Sequence, residues 1–196
     1  QMSAGSNTFL VSKESFKKIE KIMSEQIFSA GTILFSEGSS ADQLYFVKNG
    51  SVRLIKTTDD GKELCLAYFH DGDLFDGIGD FERRAEVLQD STIGVMHQRD
   101  LEGLLWRHGD VAVEFTRWLG YMQQMTQSKL RDLMFHGKNG ALASILIRIA
   151  NMYGVFNGKV INITKKFTHA ELASLIGATR ETVNRMLSQF KKDKLI

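Results

Sequence analysis

Apolar positions change period twice along the chain, and the changes divide it into three parts. After a short amphipathic helix over about residues 13–23, the runs 32–35, 44–48, 51–57 and 63–70 are rich in β-branched and aromatic residues and read as strands. Glu37-Gly38, Asn49-Gly50, Asp60-Gly61 and Asp71-Gly72 separate or follow them. Asn-Gly and Asp-Gly between such runs predict hairpins, because a type I′ turn needs positive φ at both central residues. Strands this short and this regularly spaced predict a closed roll or sandwich over 1–108.

From about 98 to 151 the period becomes helical, with Gly103, Gly109, Gly120, Gly137 and Gly140 as the weak points. Val111, Phe115, Trp118, Met122 and Met125 follow a 4-3-4-3 spacing that puts them on one stripe of a helix. A stripe of this kind suits a seam between two chains or a face packed on the roll. Length favours the seam, since a helix of about 25 residues spans about 37 Å and outreaches a small roll; 109–136 is therefore expected to be a dimerisation helix. Phe135, His136 and Gly137, followed by Lys138-Asn139-Gly140, break the pattern and predict a hinge. Beyond it, Leu142, Ile145, Leu146, Ile149 and Met152 recur at helical spacing as core, and a strand-like pair around 159–163 leads into the last segment.

That segment carries the most specific chemistry. Thr168-His169-Ala170-Glu171 is a capping box, in which the threonine hydroxyl accepts from the amide of Glu171 and the glutamate reaches back to the threonine amide. The helix it starts meets Gly177, suited to a left-handed turn, and Thr179 caps a second helix, which gives the helix-turn-helix layout. On the second helix Val183, Met186, Leu187 and Phe190 fall on one side; Arg180, Glu181, Asn184, Arg185 and Ser188 fall on the other. Arg180, Glu181, Asn184 and Arg185 form a base-reading set: arginine pairs with guanine O6 and N7, and glutamate accepts from cytosine N4. The competing reading is a solvated face with Glu181 paired to Arg185 four residues on. Lys165, Lys166, Lys191 and Lys192, with the hydroxyls of Thr168, Thr179 and Thr182, suit phosphate contacts that position the helix without reading sequence.

Charge sharpens this division. The net charge of +2 conceals +7 from Lys138 onward, ten Lys and Arg against three acidic residues, and −5 over 1–137. Only the C-terminal module, 137–196, is thus expected to meet a polyanion, double-stranded DNA. Hydrophobic residues at 43% and charged residues at 24% are ordinary for a globular protein and exclude a disordered chain. No run of about 18 apolar residues offers a membrane span, and Gln1–Ser6 lacks the layout of a secretory signal, so the expected location is the cytoplasm.

Thr179-Arg180-Glu181-Thr182-Val183-Asn184-Arg185 resembles the Arg-Glu-Thr-Val-x-Arg recognition helix of the Crp/Fnr regulators. The resemblance covers almost the whole chain: Gly31, Gly38, Gly50 and Gly72 match the glycine ladder of the cyclic-nucleotide-binding-type β-roll, and the long helix and hinge follow in order. It implies an α+β fold with an N-terminal jelly roll that senses an effector, a long dimerisation helix and a C-terminal winged helix-turn-helix. By that similarity Arg180, Glu181 and Arg185 read bases, the operator is a TGTGA-like inverted repeat, the protein is a homodimer, and RNA polymerase is a partner if it activates. Family members usually run from a Lys-x-x-Leu-Ile stretch like that at 192–196 into a β-hairpin wing, which is expected to be missing from this chain.

The sensor departs from the cyclic-AMP pattern of the family. Where that cassette reads Gly-Glu-Leu, a loop, then Arg-Ser, this chain has Asp76-Gly77-Ile78, a shortened loop, then Arg83-Arg84. Arg83 keeps the phosphate arginine, but the ribose carboxylate has become Gly77, which removes a charge-assisted hydrogen bond. Cyclic AMP is therefore not the expected effector, whose identity stays open. The candidate pocket comprises Gly72, Phe75, Gly77, Ile78, Arg83 and Arg84, with Thr126 where the long helix of the family touches its ligand. The alternative for the two arginines is pairing with Glu82 or Glu86.

One cysteine, Cys65, cannot by itself hold an iron–sulfur cluster, which needs about four thiolates. Within an apolar strand it reads as a structural thiol rather than a redox switch. By the resemblance, haem-sensing relatives use a Cys or His from the roll, for which Cys65 and His70 could be cited, but five scattered histidines lack metal-ligand spacing, and no metal site is expected. An enzyme built on a related β-helix would need a His/carboxylate set that the strands do not supply, so no catalytic residues are expected. The rival to DNA binding is a regulatory module whose C-terminal helices dock a protein partner.

Overall fold

Ser12 opens the first helix by accepting the amide of Ser15 on its hydroxyl, and the roll begins immediately after that helix ends. The structure is a computed structural model and describes residues 9–38, 40–80 and 83–196. In chain order the elements are α1 (Lys13–Glu20), β1 (Ser24–Phe28), β2 (Ile33–Phe35), β3 (Ser40–Ala41), β4 (Gln43–Thr57), β5 (Glu63–His70), β6 (Leu74–Asp76), β7 (Gly79–Asp80) and β8 (Arg84–His97). There follow α2 (Gln98–Arg107), α3 (Gly109–Tyr153), β9 (Gly154–Phe156), β10 (Ile161–Ile163), α4 (His169–Ile176) and α5 (Arg180–Lys192). The chain forms two compact units that meet in sequence between Gln123 and Gln124.

The N-terminal unit is an antiparallel roll. Its main sheet runs β1-β8-β4-β5, with β2 also on β8 and β6 also on β4. The Asp60-Gly61 turn joins β4 to β5, as its sequence predicts. The hairpin expected at Asn49-Gly50 is corrected: β4 continues through it as one 15-residue strand. Gly50, at φ 124, sits where the register against β8 slips, and a Cβ there would overlap Ser91. The glycine marks a bulge at a close backbone approach, not a chain reversal.

Two cores fill this unit. Inside the sheet, Phe35, Tyr45, Phe75 and Phe69 form an aromatic series, with ring centroids 5.2 Å apart for Tyr45–Phe75 and 4.4 Å for Phe69–Phe75. The second core joins α1, α2 and the start of α3 to the roll through Phe9, Ile19, Leu44, Phe46, Met96, Leu101 and Leu104.

Four of the five residues of the expected seam pack into this second core. Val111, Phe115 and Trp118 are 0%, 8% and 7% exposed, and Met122 packs against the same cluster. Phe9 meets the rings of Phe115 and Trp118 edge to face at 6.0 and 5.0 Å. Val111, Phe115 and Trp118 are thus buried within one chain, while Met122 and Met125 are half-buried. Their spacing reports a buried helix face, which a 3.6-residue period shows whether the partner is the same chain or another.

Polar contacts fix α1 beside α3. Lys18 donates to Asp110 at 2.8 Å, while the amide and hydroxyl of Ser12 donate to Glu114 at 2.6 and 2.9 Å. The Lys18 hydrogen bond holds the Asp110 carboxyl below its ordinary value, and the Ser12 amide does the same for Glu114. Lowered carboxylate values mean that this stabilisation is present at neutral pH and is lost as pH falls through the folded-state values. The melting temperature is accordingly expected to hold between pH 7 and about 5 and to drop below about 4. Asp110→Asn should lower it at pH 7 and reduce the acid-induced drop, which a pH series of thermal melts measures.

The C-terminal unit is built on Leu142 and Ile149 of α3, Leu172, Ala173 and Ile176 of α4, and Val183 and Met186 of α5. α3 breaks at Gly137, whose φ of 59° and ψ of −159° are not helical. Among the described residues no helix is long and apolar enough to cross a membrane.

Candidate functional site

α4 and α5 are held by the local chemistry their sequence encodes. The Thr168 hydroxyl accepts from the amide of Glu171 at 3.1 Å, and the Glu171 carboxylate accepts from the Thr168 amide at 2.6 Å. Gly177 closes α4 at φ 62, ψ 39, in the left-handed region, and its amide donates to the carbonyl of Ala173. After a two-residue turn the Thr179 hydroxyl accepts from the amide of Thr182 at 3.2 Å and starts α5. Val183, at 0% exposure, and Met186 bury one face of α5 against α4 and α3.

Burying that face presents the opposite one. Arg180, Glu181, Asn184 and Arg185 are all exposed over the first two turns. Among the described residues no ion pair joins Glu181 to Arg185, and none of these four side chains is spent on another group of the chain. The amides of the first turn add partial positive charge at the same end. Lys166, Lys191, Lys192, Thr168 and Thr179 are exposed, and Thr182 is half-buried. Lys165 is half-buried, with its ammonium 4.9 Å from the ring centre of Tyr153 and 5.7 Å from that of Phe167. Lys191 and Lys192 lie in the last turn of α5, about 17 Å along the helix from Arg180.

Of the candidate effector residues, Gly72, Phe75, Gly77, Ile78, Arg83 and Arg84 belong to the N-terminal unit. Phe75 is 5% exposed in the aromatic core, whereas Ile78 packs against the other core. Gly77 is buried where a Cβ would come within 2.9 Å of the Phe35 ring and 3.0 Å of the Tyr45 ring. Gly72, at φ 89, is a turn whose carbonyl accepts from the amide of Phe9 at 2.8 Å. Thr126 is exposed and belongs to the other unit.

Both arginines are paired, and their partners among the described residues are Asp76 for Arg83 and Glu63 and Thr57 for Arg84. Arg83 donates to Asp76 at 3.0 Å, and Arg84 donates to Glu63 and, at 3.1 Å, to Thr57. Glu86 pairs with Arg53 at 2.7 Å, and Glu82 lies outside the described residues. Arg53 and Glu63 are not singled out by the sequence pattern, in which Asp76 stands only as the start of Asp76-Gly77-Ile78. The Asp60-Gly61 turn was a usable signal for Glu63, because a hairpin there sets Thr57 opposite it. Cys65 is buried, and among the described residues no three His, Cys, Asp or Glu side chains gather as a metal site would require.

α3 shows a second stripe, one residue on from the first. Ala112, Thr116, Leu119, Gln123, Thr126, Leu130 and Leu133 keep the 4-3 spacing, and all but half-buried Ala112 are exposed. Leu119, Leu130 and Leu133 are 48%, 56% and 44% exposed.

Comparison with known proteins agrees with this arrangement. Residues 25–108 match the cyclic nucleotide-binding domain family, and residues 140–196 match the Crp-like helix-turn-helix domain family. The anaerobic regulatory protein of Bacillus subtilis is 36% identical over 197 residues, covering 97% of this chain and 83% of that protein. A CRP-like cAMP-activated global transcriptional regulator of Mycobacterium tuberculosis is 30% identical over 83% of this chain and 75% of its own length. Among solved structures, a CooA variant from Carboxydothermus hydrogenoformans superposes with a TM-score of 0.78 at 25% identity, covering 89% of this chain and 78% of that one.

Proposed function

The chain belongs to the Crp/Fnr family of transcriptional regulators, and from that premise we propose that the exposed face of α5 reads an inverted repeat of TGTGA-like half-sites as a homodimer. Like its family, the protein is an effector-controlled DNA-binding regulator and not an enzyme. Arg180 and Arg185 take guanine edges, Glu181 takes cytosine N4, and Asn184 supports them from the next turn. Lys166, Lys191 and Lys192, with the hydroxyls of Thr168, Thr179 and Thr182, carry phosphate contacts; Lys165 has the weakest case, because its ammonium already sits over two rings. The observation that carries this reading is the set of four unspent polar side chains on the N-terminal turns of α5, opposite the buried Val183 and Met186. In this reading 1–108 is the sensor, 109–136 the dimerisation helix and 137–196 the DNA-binding module.

The dimer seam is reassigned to the second stripe of α3. Leu119, Leu130 and Leu133 offer apolar surface at 3.5-residue spacing, and polar Thr116, Gln123 and Thr126 between them fix register. A small-molecule effector acts on the roll. Arg83 and Arg84 remain its candidate anchors, but an anionic ligand must displace Asp76 or Glu63, and Gly77 supplies no carboxylate for a ribose. Cyclic AMP is therefore not the effector in this reading. RNA polymerase is the partner if the regulator activates.

Titrating a labelled TGTGA inverted-repeat duplex from 50 to 200 mM salt tests the reading. A dimer with six to ten phosphate contacts should lose about 10³- to 10⁵-fold in affinity over that range. Lys192→Ala should weaken binding to every sequence alike and reduce the salt slope by about 1 per contact removed. Weak binding that ignores salt would favour the protein-docking alternative.

A further inference from the structure

We infer that Asp132, Ser144 and Arg148 form a latch across the break in α3, holding the helical arms on either side of Gly137 at a set angle. This rests on the DNA-binding reading for its consequence but not for its geometry. Gly137 is in a region of backbone space that is essentially confined to glycine, so the break is built into the chain. Three residues on, a Cβ at Gly140 would overlap the side chain of His136, which brings the two arms close.

Polar groups tie the arms at this elbow. From the second arm, the Ser144 hydroxyl donates to Oδ2 of Asp132 on the first at 2.6 Å, and Arg148 reaches the same oxygen at 3.5 Å. Asp132 and Arg148 are only 19% and 15% exposed, so the pair is shielded from bulk water. The Ser144 hydrogen bond keeps the Asp132 carboxyl charged by holding it below its ordinary value. A cleft of about 710 Å³ opens beside them, lined by Ser128 and His136 from the first arm and Asn139 from the second.

The latch is incompletely satisfied. Nη1 of Arg148 is buried and has no hydrogen-bond partner among the described residues. A closed latch with a buried, unpaired donor is cheaper to open than a fully bonded one, because opening rehydrates that donor. The cleft gives the arms room to move. A loosened elbow would let the two recognition helices of a dimer lose their spacing, which lowers the effective concentration for the second half-site and leaves the first unaffected.

Spin labels at Gln127→Cys and Asn151→Cys, both at exposed positions, report the elbow in a full chain carrying Cys65→Ala and diluted into unlabelled protein. The expected result without DNA is one narrow distance distribution for the otherwise unchanged chain and a distribution at least about twice as wide for Ser144→Ala and Asp132→Ala. Gln124→Ala, exposed on the first arm away from the latch, should leave it narrow. The preference for two half-sites over one should fall about tenfold in the two broadened variants. Ser144→Ala keeps a strong helix former and guards against simple unfolding. An unchanged distribution in both variants overturns the latch, as does broadening with no change in half-site preference. Failure of the unsubstituted protein to prefer the inverted repeat would count against the DNA reading instead, since the distances are measured without DNA.

Discussion

Replacing Arg185 or Arg180 with alanine is expected to lower affinity for the inverted-repeat duplex on the order of 100-fold, with specificity relaxed at the guanine each contacts. A bidentate arginine–guanine pair contributes about 1–3 kcal/mol of discrimination, and a two-fold dimer loses it in both half-sites. Neither substitution should change the melting temperature appreciably, because both side chains are exposed and make no contact that the fold uses. Lys192→Ala provides the contrast, since loss of a phosphate contact weakens binding without relaxing specificity. Affinities for operators carrying each single-base change, set against thermal melts, separate these effects.

Phe115→Ala is expected to destabilise the N-terminal unit by about 3–5 kcal/mol, the range for emptying a buried aromatic site. Phe115 is 8% exposed and meets Phe9 and Trp118 within the same chain, so the loss should not depend on protein concentration. Leu130→Glu should behave in the opposite way. At 56% exposure the leucine adds little to the fold of one chain, but two glutamates facing each other across the proposed seam would repel. Sedimentation should then show monomer at concentrations where the unsubstituted protein is dimeric, with the melt of the roll nearly unchanged. The reverse outcome, a dissociated but stable Phe115→Ala and an intact Leu130→Glu dimer, would return the seam to the first stripe.

These two experiments also mark where the sequence was legible. Thr168, Glu171, Gly177 and Thr179 act through groups no more than a few residues away, so the sequence of the last 30 residues contains nearly everything needed to place α4 and α5. The charged face of α5 followed from its buried face by helical geometry alone. The two stripes of α3 were not separable in this way. Spacing shows which residues share a face but not which chain that face packs on, and Phe9, the ring that claims Phe115 and Trp118, lies more than 100 residues earlier.

The roll shows the same limit at shorter range. Asp60-Gly61 joins β4 to β5 as a turn, while Asn49-Gly50, an equally good turn signal, lies inside β4, which pairs with β8 on both sides of it, and its glycine serves the close approach of Ser91. Arg83 and Arg84 were read beside their neighbours in sequence, Glu82 and Glu86. Strand pairing gives Arg84 to Glu63, and the cassette loop gives Arg83 to Asp76. Strand register decides the partner of Arg84, and spacing along the chain carries no trace of it.

The most direct test of the account is a stoichiometric titration with footprinting on a duplex carrying TGTGA and TCACA about six base pairs apart, against a scrambled duplex of the same composition. One dimer per specific duplex is expected, with protection in two major grooves about one helical turn apart and clearly weaker binding to the scrambled duplex. Equal binding to both duplexes, or protection without that spacing, would contradict it.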